Sequence, residues 1–292
     1  MNKLFIIFLV KIAIITLIVQ QAQSSGKANP AISPKNNAHD LDLNRSENQQ
    51  FMLEHNILLK QQTYAIGQEK YAINIYQKSP IGTTRYLVLH DNENAAFDSG
   101  LRAIKDGGLL VVLENKESRY LYDFGKNTQT NTDPNRIFDD KNKYFALGQA
   151  ILSSLQLQQD SLVVALHNNS PNSTFKMSNI HKFGNTQIVC QKDRNEKNLY
   201  WIPYKNSTDA GLNLAKKLCN AGSYNVVSEQ VPAIAKGDGS LSIYAANRGI
   251  DYVNIEIKAA IAGDKNNENT AMLAQQNYIT TLAKLSQAKP NR

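Results

Sequence analysis

The chain has 292 residues, 42% of them hydrophobic and 20% charged, with 32 Lys and Arg against 25 Asp and Glu. This composition excludes collagen-like, low-complexity and wholly disordered chains, and the length allows one large domain or two small ones with a core that does not depend on disulfides. The formal charge of +7 is spread along the chain, with no basic run and no aromatic-interleaved basic patch. It reads as solubility with mild attraction to anionic surfaces, and nucleic acid is not an expected partner.

In chain order, residues 1–24 read as an export signal. Lys3 supplies a positive start, Leu4–Val10 and Ile12–Val19 form an apolar stretch split by Lys11, and the small residues Ala22 and Ser24 suit a cut after Ser24. A periplasmic or secreted protein follows from that reading. An uncleaved N-terminal anchor is its competitor, although the interrupted stretch is marginal against the roughly 17–25 apolar residues a span needs. Residues 25–50 are rich in Asn, Ser, Lys, Pro and Gln and read as a polar arm or linker.

From residue 51 onward apolar runs alternate with amphipathic stretches. Strands are expected at Tyr71–Tyr76, Tyr86–His90, Leu109–Leu113, Arg119–Phe124, Leu162–His167, Thr186–Cys190, Tyr200–Pro203, Tyr224–Ser228 and Tyr252–Ile257. Helical spacing links Phe97, Leu101 and Ile104, then Leu147, Ile151 and Leu155, then Leu214 and Leu218. A last helix is expected from about Asn269 to Gln287. Short apolar strands separated by helices predict one α/β domain over 51–292, with a mixed, mostly parallel sheet covered by helices on both faces. Ligands in such sheets collect at the carboxyl ends of strands. The two cysteines, Cys190 and Cys219, form no C-x-x-C motif. An oxidising compartment favours a bridge between them over two separate buried thiols.

Two histidines end apolar runs: His90 after Tyr86–Leu89, and His167 after Leu162–Leu166. Glu93 follows His90 by three residues. Two neutral imidazoles and one carboxylate suit a catalytic zinc, which needs three protein ligands and an open position. His39, His55 and His181 have no comparable placement. Asp133-Pro134 begins a turn, and Arg136 within it is either a structural ion-pair partner or a fork for a substrate carboxylate. Alternation in Tyr252–Lys258 puts Asn254, Glu256 and Lys258 on one face, either a plain polar face or one that offers Glu256 to a water beside a metal. Arg248 is a second candidate anion-binding group or a loop charge.

In this order these pieces resemble the zinc carboxypeptidase superfamily, whose branches include peptidases and the aspartoacylase and succinylglutamate desuccinylase amidohydrolases. Asp133–Phe138 is similar to the amidohydrolase Asp-Leu-Asn-Arg-x-Phe, with Pro134 in place of Leu. His90–Glu93 is similar to His-Gly-Asn-Glu, with Asp91 in place of Gly. His167-Asn168-Asn169 resembles His-Asn-Thr, and Ile255-Glu256-Ile257 resembles the strand that presents the catalytic Glu. The resemblance spans roughly 85–258. It implies zinc on His90, Glu93 and His167, and Glu256 as general base. It further implies Arg119 as oxyanion stabiliser, and Asn135, Arg136 and Arg248 as binders of a substrate carboxylate. Ala165 stands where the amidohydrolases carry Asp, and the spacing of Arg119 from Arg136 is nearer the peptidase pattern.

The expected function is therefore a secreted zinc-dependent carboxypeptidase-like hydrolase of peptide or amide bonds, with cell-wall peptides as one substrate. The alternatives are an aspartoacylase-like N-acyl amino acid amidohydrolase and a non-catalytic binding protein of the same fold. The expected partner is a peptide or N-acyl amino acid with a free carboxylate, and any membrane contact would come through an uncleaved N-terminal anchor.

Overall fold

Strand residues of alternating parity bury into two different cores, and this divides the sheet into two faces. A computed structural model describes residues 42–206, 209–232, 237–259 and 265–287 of the chain. The expected export signal lies outside them, as does the polar arm up to residue 41. The described residues fall within one compact unit.

The elements in chain order are α1 (Ser46–His55), β1 (Leu58–Ile66), β2 (Glu69–Lys78), β3 (Thr84–Val88), α2 (Asn94–Ala103), β4 (Gly108–Glu114), β5 (Tyr122–Asp123), β6 (Thr128–Gln129), α3 (Phe145–Ser154), β7 (Leu162–Asn169), β8 (Thr186–Gln191), β9 (Leu199–Tyr204), α4 (Ala210–Ala221), β10 (Asn225–Gln230), α5 (Leu241–Arg248), β11 (Asp251–Lys258) and α6 (Lys265–Gln287). Among the described residues nine strands join in the order β1-β2-β4-β3-β7-β11-β9-β10-β8. The centre, β4-β3-β7-β11, is parallel, and antiparallel pairings enter at both flanks. The mixed α/β sheet with helices on both faces is the expected one, with its parallel part concentrated in the middle.

One face packs Val88, Val112, Val164, Leu166 and Ile255 against Phe97 and Leu101 of α2, Leu218 of α4 and Tyr278 of α6. The other packs Leu87, Val111, Val163 and Ala165 against Leu147 and Ile151 of α3 and Leu241 and Ala245 of α5. β4 and β7 are buried along their whole lengths, as strands covered on both sides must be.

Several segments depart from the sequence reading, among them helix α5 and the short strand β6, which were not expected. Asp42–Asn44 and α1 are helical within the stretch read as a polar arm, with Leu43 and Asn48 buried. Asn48 donates to the Asp42 carbonyl and to Asp98, which ties α1 to α2. β1 was not expected, and Arg119–Phe124 contributes only Tyr122–Asp123 as strand. Cys190 and Cys219 are bonded, with Cα atoms 5.9 Å apart, so β8 is stapled to α4. Among the described residues no helix is long and apolar enough to cross a membrane.

Candidate metal centre

β3, β7 and β11 are parallel neighbours, so their carboxyl ends open on one edge of the sheet. Beyond β3 the chain turns at His90–Glu93, where the Glu93 N–H donates to the His90 carbonyl at 3.1 Å and Glu93 stands at the N-cap position of α2 without a side-chain capping bond. The turn is pinned by Asp91, which accepts from the backbone N–H of Asn115 (2.9 Å) and of Glu117 (2.8 Å) beyond β4. Asp91 thereby does with its side chain what a glycine there could not. His167 lies in β7 itself, and the ladder sets it directly beside Glu256 of β11.

The side chains of His90, Glu93 and His167 converge and are buried, at 2%, 5% and 3% exposure. The two Nδ1 atoms are 3.1 Å apart. His90 Nδ1 is 3.0 Å from Glu93 Oε1, and His167 Nδ1 is 3.1 Å from Glu93 Oε2. Among the described residues this is the one group of His, Cys, Asp and Glu placed to hold a metal ion. His90 Nε2 meets Asp133 Oδ1 at 2.9 Å. A carboxylate only accepts, so the proton of a neutral His90 sits on Nε2 and the Nδ1 lone pair faces the site. That lone pair then confronts a carboxylate and a second ring nitrogen, an arrangement that only a positive charge resolves. The separations approach the roughly 3.3 Å between ligands placed about 2.0–2.1 Å from a tetrahedral zinc. The residues fit the ion.

The proton affinities report the same demand. Burial alone would lower His90, but the carboxylates of Glu93 and Asp133 override it and hold His90 up at about 9. Burial alone would raise Glu93, but the two histidines hold it down at about 2. Asp133 is likewise held below the ordinary carboxylate range, against its burial, by His90, the Asn135 N–H and Arg119. Without a metal, a proton on His90 supplies the missing charge.

Around this core the other sequence-predicted residues divide. Glu256 faces the centre from β11, and burial raises its carboxyl above the ordinary range while His167 opposes the rise. Asn254 Nδ2 donates to Glu256 Oε1 at 3.0 Å. Arg119, 47% exposed, reaches Glu93 Oε1 and Asp133 Oδ2, each at 3.3 Å. Asp133 caps the short helical turn Pro134–Arg136 through the Asn135 N–H, so the Asp-Pro turn and the histidine contact are one device. Asn135 Oδ1 accepts from the Leu241 N–H at the start of α5 at 3.2 Å, which leaves its Nδ2 as the donor. Arg136 is half exposed and 4.0 Å from Asp238. Its backbone is held by close approach of Gly239, where φ is +82° and an added Cβ would fall 2.3 Å from the Arg136 carbonyl.

Arg248 is not brought into this group. It closes α5 over the Tyr244 ring, 5.5 Å from the centroid, and lines a cavity with Asp139, Asp140 and Phe145 that none of the three ligand residues enters. Sequence reasoning missed Asp133 as a histidine partner and Asn254 as a partner of Glu256. The first was legible in principle, because a metal-binding imidazole needs an acceptor for its other N–H.

No family model matches this chain, and no curated protein sequence matches it. Among solved structures it is similar to a candidate metallopeptidase from Shewanella denitrificans OS217, with 15% identity, 82% of this chain and 89% of that chain covered, and a TM-score of 0.43. It is similar to the succinylglutamate desuccinylase from Chromobacterium violaceum, with 12% identity, 80% and 72% coverage and a TM-score of 0.41. A metallo-carboxypeptidase from Pseudomonas aeruginosa gives 9% identity, 83% and 69% coverage and a TM-score of 0.44. With likeness this distant, the chemistry is read from the residues of the site itself.

Proposed function

We propose that this chain is a zinc-dependent hydrolase of peptide or amide bonds whose substrate carries a free carboxylate. The observation that carries the reading is the buried convergence of His90 Nδ1, His167 Nδ1 and Glu93, with the His90 tautomer fixed by Asp133 and a second carboxylate, Glu256, on the adjoining strand. Zinc held there supplies a Lewis acid that polarises a carbonyl and acidifies a water. Glu256, held by Asn254, accepts the proton of the attacking water and returns it to the leaving amine. Arg119 sits at the exposed rim beside Glu93, where its guanidinium stabilises charge that develops only in the transition state. Arg136 takes the substrate carboxylate in its fork, with Asn135 Nδ2 as a further donor, and so orients the scissile bond.

The export signal read in residues 1–24 extends the proposal to a periplasmic or secreted enzyme, with cell-wall peptides among its substrates. An N-acyl amino acid amidohydrolase is the alternative: it would use the same metal ligands and carboxylate-binding arginine, and Ala165, where that branch carries Asp, counts against it. The test is hydrolysis by the zinc-loaded protein of a panel of N-acyl amino acids, peptides and peptidoglycan fragments. Activity that a chelator removes and zinc restores supports the reading. A zinc-loaded protein that cleaves none of the panel, while still binding its members, makes the non-catalytic alternative the better one.

A further inference from the structure

A residue at the N-cap position of a helix ordinarily accepts an N–H of the first turn with its side chain. Glu93 holds that position at α2, but its carboxylate is turned toward Nδ1 of His90 and of His167 and makes no capping bond. The bond comes instead from another strand. Asn168, buried beside His167 near the end of β7, accepts the Ala96 N–H with Oδ1 at 2.9 Å, an N–H it shares with the Glu93 carbonyl. Ala96 is the third residue of α2, one of the two whose N–H a capping side chain takes.

The topology makes this reach possible. β3 ends at Val88, and its last pairing with β7 sets Leu87 beside Ala165, so among the described residues His167–Asn169 pair with β11 alone. Alternation then separates two neighbours: His167 faces the metal centre, while Asn168 follows the parity of Leu166, which packs in the core that holds Phe97 of α2. Asn168 Nδ2 donates to the His167 carbonyl at 3.3 Å. The wholly buried Gln275 of α6 donates to the same carbonyl at 3.2 Å and to that of Ile255 at 3.3 Å. The orientation of the Asn168 amide is set by chemistry, because only its oxygen can accept from Ala96 and only its nitrogen can donate to a carbonyl. One amide therefore joins the start of the helix where Glu93 stands to the backbone of His167.

We infer that Asn168 is a positioning residue that caps α2 in place of Glu93, frees the Glu93 carboxylate to serve as a ligand, and fixes its spacing from His167 before a metal arrives. The inference rests on the zinc reading given above and adds to it a residue on the opposite face of β7 from the ligand His167. Groups that hold ligands from behind matter to binding: losing one typically costs ten- to a hundredfold in metal affinity or activity.

The test is zinc affinity of the full chain, read by competition with a chromophoric chelator under conditions where every variant is folded by circular dichroism. Asn168→Ala should bind zinc about tenfold or more weakly than wild type. Asn168→Asp keeps the acceptor for Ala96 and loses the donor to His167, and it should stay within about threefold of wild type. Asn48→Ala is the control, because it removes the buried amide that ties α1 to α2 through Asp98, and its zinc affinity should be unchanged. Undiminished affinity in Asn168→Ala overturns the inference. A loss in Asn168→Asp as large as in Asn168→Ala also overturns it, because the effect would then run through the bond to His167. An equal loss in Asn48→Ala overturns it too, since any loosening of α2 would then weaken the centre. Should Asn168→Ala not fold, Asn168→Leu, which keeps the volume and removes both polar ends, takes its place with the same expected loss. A wild type that binds no zinc removes the underlying reading as well, whereas a wild type that binds zinc no more tightly than the apolar variant removes this inference only.

Discussion

Zinc binding to this centre should be coupled to the release of one proton, and the structure sets both the size and the pH range of the coupling. His90 is held at about 9 in the metal-free protein, by Glu93 and Asp133 acting against its burial. At pH 7 it is therefore about 99% protonated, and its Nδ1 must lose that proton to become a ligand. Apparent zinc affinity should rise about tenfold per pH unit from 7 to 9 and level off above. The whole change is about a hundredfold, or about 2.7 kcal/mol at 1.36 kcal/mol per unit. Titration calorimetry in buffers of different ionisation enthalpy should count close to one proton released per zinc at pH 7 and close to none near pH 10. The sign can be checked on the metal-free protein. A histidine raised from 6.5 adds stability that is full below 6.5 and is lost as pH rises through about 9. Glu93, lowered from 4.5, adds stability that is full above 4.5 and is lost as pH falls through about 2. A zinc affinity that stays flat from pH 7 to 9 with no proton released would refute the protonated-His90 account.

Three further predictions follow from individual side chains. Glu256→Gln should keep zinc and fold but lose about a hundredfold or more in turnover, the ordinary consequence of losing a general base; survival within a fewfold would reduce Glu256 to a polar strand residue. Arg136→Ala should lose about ten- to a hundredfold in specificity on a free-acid substrate, from roughly 1.5–3 kcal/mol for a charged hydrogen-bond pair, and should change little on the amidated analogue; equal losses on both would make Arg136 structural. Replacing Cys190 and Cys219 by Ser should lower stability by about 3–4 kcal/mol on the loop-entropy estimate for a bridge spanning 29 residues, measured by denaturant unfolding; a difference under about 1 kcal/mol would mean the bridge contributes little.

The parts of this molecule that could be read from sequence are those where one residue's type settles its surroundings. β7 is a continuous apolar run because it is buried on both faces, and a histidine ending such a run stands out. β1 was not readable, because Lys60, Gln61 and Gln62 give it neither an apolar run nor an alternation, and it exists by pairing with β2 along its whole length. Arg119 looked like part of a strand because Tyr120, Leu121, Tyr122 and Phe124 follow it. The structure keeps only Tyr122–Asp123 of them as strand and places Arg119 in the preceding loop, from which its guanidinium reaches Glu93 and Asp133. Asp133 was hidden behind its own turn signal, since Asp-Pro explains itself locally and gives no hint of a histidine 43 positions away. Asn254 was visible only as a polar position on a strand, and its meaning comes from the hydrogen bond its amide gives Glu256 two residues on. Arg248, matched to a substrate-binding arginine by order alone, closes α5 over the Tyr244 ring and is outside the cluster formed by His90, Glu93 and His167.

The central claim is a zinc ion on His90, Glu93 and His167, and elemental analysis of the purified protein tests it most directly. Wild type, loaded with zinc and passed through a desalting column, should retain about one zinc per chain, with iron well below that. His167→Ala, treated identically and shown by circular dichroism to be folded, should retain almost none. Equal zinc in the two proteins, or a wild type that retains no metal after loading, would contradict the account.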